Sequence, residues 1–111
     1  MRIHTLTNMR DHLLALQEIQ YSLAHEQFDL AANIAEQRLG MSSLALHGAH
    51  DVSKFMPAGM QAIGTEMHRA ASRLALAAKD ASVTRDLKSA LSALAQVSAQ
   101  CVACHAGYRI Q

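Results

Sequence analysis

The chain has 111 residues and a formal net charge of +1 with its seven histidines neutral, so a single domain spanning 1–111 is expected, with no charge run that marks a nucleic-acid or membrane-surface partner. Half of the residues are apolar, yet only 4% are aromatic and there is no Trp and a single Pro. An Ala- and Leu-rich composition of this kind favours helices and disfavours strands, and no apolar stretch approaches the roughly 20 residues of a membrane span.

Leu6, Met9, Leu13, Leu16 and Leu23 follow an a/d rhythm with Gln20 as its polar slot, and Leu14 and Ile19 widen the stripe. This predicts a first helix over about 7–24. Thr7 or Asn8 is the expected N-cap, and Asp11 falls in the first turn, where the helix dipole favours negative charge. His25-Glu26-Gln27 is the expected turn, without Gly or Pro to mark it.

A second helix is predicted over about 27–49, with the stripe Phe28, Ala31, Ala35, Leu39, Ser42 and Leu46. Gly40 weakens a helix interior by about 1 kcal/mol relative to Ala and reads as a close approach to a neighbour rather than a break. Residues 50–56 form the one real loop, and Pro57 opens the third helix, where its missing N–H costs nothing. Met60, Ile63, Met67, Ala70, Leu74 and Ala77 carry the stripe to about residue 79, with Gly64 beside it suggesting a second close approach.

Ser82 or Thr84 is the expected cap of the fourth helix, with Asp86 in its first turn. Leu87, Leu91, Leu94, Ser98, Cys101, His105 and Tyr108 then fall on one core-facing stripe, with Val97 beside it. Four amphipathic helices with mostly short connections predict an all-α, antiparallel up-down-up-down four-helix bundle.

The chemistry lies in Cys101-Val102-Ala103-Cys104-His105. Cys-x-x-Cys-His is the c-type haem attachment signature. Two thiols on one turn form thioethers to the two haem vinyl groups, and the adjacent His becomes the proximal ligand of the iron. A redox dithiol belongs near a strand–helix junction, and no strand precedes this one. A structural zinc site needs four ligands, whereas these are the only two cysteines. Two inert thiols packed as small hydrophobes remain the bland alternative.

A four-helix bundle with this motif near the end of its last helix resembles the class II c-type cytochromes, the cytochrome c prime group. The residue-specific part of the likeness is 101–105 followed by Ala106-Gly107-Tyr108-Arg109, an aromatic and then an arginine three and four residues past the His. The resemblance implies one covalent haem c on Cys101 and Cys104, with His105 as proximal ligand and Arg109 close to a propionate. It further implies redox partner proteins, with a homodimer through the first two helices as an open alternative to a monomer. In the family an Arg tends to precede the distal-side residue by a few positions, whereas here Arg10 immediately follows Met9. Arg10 therefore reads as a solvated surface charge ahead of a propionate partner.

What occupies the far side of the iron separates two functions. A Met sulfur gives a six-coordinate, low-spin iron of raised potential, suited to electron transfer. An apolar distal side gives a five-coordinate iron that binds NO or CO, as in a gas sensor or scavenger. Met9 is the candidate sixth ligand, because the N-terminal end of helix one meets the C-terminal end of an antiparallel helix four. The related b-type bundle cytochromes resemble this, with a Met early in helix one and the His late in helix four. His12 is the alternative ligand, with Leu13 and Leu16 packing on the distal face in either case; Met9 as plain core filler is the bland reading.

His47, His50, Met41, Met56, Met60, Met67 and His68 form a weaker pattern of soft ligands that copper prefers. Core packing for Met60 and Met67, and solvation for His47, His50 and His68, is the stronger reading of it. No nucleophile–base pair, phosphate loop or informative carboxylate pair marks an enzyme. Such haem motifs are loaded in the bacterial periplasm, while this chain leads from Met1-Arg2-Ile3-His4 straight into polar helix. A periplasmic protein whose export signal has been removed is therefore expected.

Overall fold

The hydrophobic period resolves into helices throughout. The computed structural model describes residues 2–44 and 56–108, and among them the regular elements are four α-helices: α1 (Arg2–Ala24), α2 (Phe28–Ile34), α3 (Ala58–Thr84) and α4 (Leu87–Gly107). A π-turn, Ala35–Leu39, prolongs α2, and a 3-10 turn, Met41–Ser43, follows it. No described helix is long and apolar enough to cross a membrane.

Several helix ends differ from the sequence expectation. α1 already runs through Thr7, Asn8 and Asp11, so none of them caps it. Asp11 instead meets Arg38 of the π-turn at 2.7 Å, and Arg38 also bonds Glu18, pinning α2 to α1. α1 stops where expected, in a Schellman-type end in which the N–H of Gln27 donates to Ser22 O at 2.8 Å and that of Glu26 to Leu23 O at 3.1 Å. Glu26 takes the left-handed position (φ 57°) usually given to Gly, so composition could not mark this turn.

The second helix is shorter than the predicted 27–49. It widens into the π-turn and stops at Gly40, whose backbone turns extended (ψ −176°). The close approach expected there is present: a Cβ on Gly40 would lie 2.8 Å from both Ser72 Oγ and Glu36 O. Gly40 is therefore a break as well as a contact. Buried His68 of α3 donates from Nδ1 to Leu39 O at 2.5 Å, satisfying a carbonyl left open by the helix end. Ser42 is exposed, while Leu46 and the loop over 50–55 lie outside the described residues.

Pro57 is the N-cap of α3 rather than its first helical residue. α3 continues five residues past the expected end, to Thr84, and closes on left-handed Arg85 (φ 65°), whose N–H donates to Ala81 O at 2.9 Å. Asp86, not Ser82 or Thr84, caps α4: its carboxylate accepts from Ser89 N at 3.1 Å and Ser89 Oγ at 2.6 Å. Gly64 makes no close approach, because nothing lies within 4 Å of where its Cβ would be.

The core consists of Ile19, Leu23, Leu39, Leu74 and Val97, all fully buried, with alanines such as Ala15, Ala35, Ala71, Ala78 and Ala90 between them. Small residues let the helix axes approach closely. Each consecutive pair runs antiparallel, as the cross-contacts require. Arg38 of the π-turn that prolongs α2 reaches Asp11 and Glu18 in the middle of α1. Phe28 at the start of α2 lies under Arg85, just past the end of α3, while Leu39 meets His68 in its middle. Tyr108 after α4 lies on Gly59 at the start of α3. α1 packs extensively on α2, α2 on α3 and α3 on α4, whereas α1 and α4 share no extended contact.

Candidate haem-attachment site

Cys101, Cys104 and His105 occupy the last two turns of α4. A spacing of three places the two sulfurs about one turn apart on neighbouring parts of one face. Cys101 is half-buried against the core and Cys104 is half-buried, whereas Val102 is 68% exposed and His105 is exposed. Burial pushes both thiols above the ordinary cysteine value, so both are held protonated at neutral pH.

The α4 stripe differs from the one expected. The residues packed inward are Ala90, Leu94, Val97 and, partly, Leu87 (as expected), Ala93 and Cys101, with Cys104 and Tyr108 half-buried. Leu91 (49% exposed) and His105 lie off this line, on the flank that also bears Ser98 and Val102. A stepping of about 100° per residue puts these four within one narrow sector.

α1 shows the matching departure. Its buried line is Ala15, Ile19, Ser22 and Leu23. Leu13, expected on the core stripe, is 70% exposed, and Leu14 is 52% exposed. Met9 and Leu16 are half-buried, and Leu16 packs on the edge of the core. Asp11 and Glu18 mark the flank turned to α2. Leu6, Met9, Leu13 and Leu16 lie on the opposite flank, away from α2, and Leu14 lies on neither.

The helix registers fix the height of Met9. Tyr108 lies on Gly59, and α3 and α4 are antiparallel, so His68, nine residues beyond Gly59, is level with about residue 99 of α4. The rings of His12 and His68 meet edge to face with centroids 5.9 Å apart. Met9, one turn nearer the start of α1, is then level with about residue 102, inside the 101–105 motif. His12 is half-buried and turned towards α3, a direction different from the flank that carries Met9.

Arg10 is exposed, in keeping with a solvated charge. Arg109 lies outside the described residues. Of the soft-ligand pattern, His47 and His50 lie outside the described residues too, and His68 is buried rather than solvated. Among the described residues no three His, Cys, Asp or Glu side chains converge as a metal site. Searches find no matching family model, no matching curated protein and no matching solved structure.

The donor set fits a covalently held haem. Two thiols and an imidazole share one helix end, Cys104 and His105 are reachable from solvent, and exposed leucine and valine lie on the flanks of two helices that do not pack together.

Proposed function

We propose that this protein is a periplasmic c-type cytochrome that transfers single electrons. Its four helices form an antiparallel up-down-up-down bundle whose α1–α4 side is completed by one covalent haem. The observation that carries this reading is the Cys-x-x-Cys-His turn beside apolar flanks left unpaired on α1 and α4.

Cys101 and Cys104 would hold the haem, each thiol adding across one vinyl group with its hydrogen passing to the neighbouring carbon. The haem supplies a one-electron iron couple. His105 would hold the iron from α4, and Met9, level with the motif, would offer its thioether from α1. Leu13 and Leu16 cover the same side and exclude water, which raises the effect of every fixed dipole nearby. His12 is a poorer sixth ligand, because its ring is engaged against His68. A haem edge left at the surface serves transient encounters with redox partner proteins.

Absorption spectra of the oxidised and reduced protein test this. A low-spin spectrum with a weak Met–iron band in the red, lost in Met9→Ala, is expected. A low-spin spectrum that survives Met9→Ala transfers the ligand role to His12. A high-spin spectrum that shifts on adding CO makes gas binding the function, which the apolar character of Leu13 and Leu16 would equally serve.

A further inference from the structure

The turn that carries the two thiols and the imidazole has few contacts of its own. Past Cys101, the side chains of Val102, Ala103, His105 and Ala106 are exposed, and Cys104 is half-buried. A helix end with so little buried surface opens at low free energy unless something else holds it. The next inward side chain is Tyr108, half-buried, whose N–H closes the last turn on Cys104 O at 2.8 Å.

The Tyr108 hydroxyl sits directly over Gly59 in the first turn of α3: a Cβ there would collide with the oxygen, while the next atom, ring Cζ, would stand at an ordinary 3.7 Å. Glycine weakens a helix relative to alanine, and at 59 it leaves room for the far end of the tyrosine side chain, which a Cβ would displace. Gly64 has no such neighbour.

We propose that Gly59 is a positioning residue. The notch it leaves in α3 seats Tyr108, and the seated Tyr108 sets where Cys101, Cys104 and His105 stand relative to α1. The link runs from Gly59 to the Tyr108 ring, through the Tyr108 N–H to Cys104, and so to the imidazole one residue on. Resting on the haem reading for its consequence, the contact itself exists without haem and can be tested without it.

The test is a rescue cycle in the full chain, with Gly64→Ala as the helix control. Hydrogen exchange of the 104–108 amides is measured without haem, and the spectrum and midpoint potential with haem. Gly59→Ala should speed that exchange at least about ten-fold and shift the potential. Tyr108→Phe, which removes only the colliding oxygen, should change either much less, and Gly59→Ala combined with Tyr108→Phe should return both readouts to the Tyr108→Phe values. Gly64→Ala should leave both unchanged. The proposal is overturned if Gly59→Ala exchanges like Gly64→Ala, if the double variant is not rescued, or if exchange responds while the potential of a haem-loaded chain does not. A chain that takes no covalent haem, yet shows the exchange and rescue pattern, refutes the haem reading and leaves the Gly59–Tyr108 contact standing.

Discussion

Leu13 offers the sharpest energetic test, because its environment differs between the haem-free chain and the proposed holoprotein. Its side chain is 70% exposed to solvent and the protein alone does not cover it, so in protein carrying no haem Leu13→Ala should change stability by no more than about 0.5 kcal/mol. Fully covering a leucine is worth about 1.5–3 kcal/mol. Covering the exposed 70% of it should therefore make the same substitution cost about 1–2 kcal/mol more once haem is attached. Two controls bracket the effect. Leu23, 1% exposed, should lose about 2–5 kcal/mol on truncation to Ala in both states. Leu14, 52% exposed and off the haem-facing flank, should stay within about 0.5 kcal/mol in both. Urea unfolding of each variant with and without haem measures all of these. An equal cost of Leu13→Ala in the two states would refute the placement of the haem against α1.

Arg38→Ala removes the guanidinium that ties the π-turn to Asp11 and Glu18 of α1. The pairs are only partly buried, so about 1 kcal/mol is expected in low-salt urea unfolding, shrinking at high salt; a salt-independent loss would mean packing, not charge, is responsible. Asp86 is held below the ordinary carboxylate value by the Ser89 hydroxyl and N–H. Its contribution is thus present above the unfolded-state value and lost as pH falls through the lower native one. Asp86→Ala should lower Tm at neutral pH, with the gap closing only in strong acid; a pH-independent gap would contradict the cap. Burial raises both thiols, so alkylation of the haem-free chain by iodoacetamide should still be accelerating at pH 9, where an unperturbed cysteine of pKa about 8.5 is levelling off. Rates that plateau by pH 9 in the folded chain would count against it.

The stripes of α2 and α3 were legible because apolar and small residues recur at helical spacing and each packs on two neighbours. Phe28, Ala31, Ala35, Leu39, Met67, Ala70 and Leu74 are all buried as the period requires. The helix ends were less legible. Glu26 and Arg85 adopt left-handed geometry without being Gly, and Asp86 caps from a position that composition alone assigns to the first turn. Gly40 carried two meanings, and only the contact with Ser72 shows that both hold.

On α1 and α4, period alone misassigned Leu13, Leu91 and His105 to the protein core. A heptad pattern counts apolar positions without saying what covers them, and these three side chains are exposed on flanks where α1 and α4 share no extended contact. The spacing of Cys101, Cys104 and His105 stands in the sequence itself, and the haem reading rests on it. The height of Met9 was not legible there, because it depends on the Tyr108–Gly59 and His12–His68 contacts between residues far apart in sequence. Nothing in the sequence marked Gly59, whose role follows from the side chain of a residue 49 positions away.

The most direct measurement is the mass of the denatured protein after production in a bacterial periplasm equipped for haem attachment. A gain of one haem that survives denaturation, and that disappears in Cys101→Ala combined with Cys104→Ala, is the predicted result. The unmodified mass of the polypeptide, with the haem absent or lost on denaturation, would contradict the central claim.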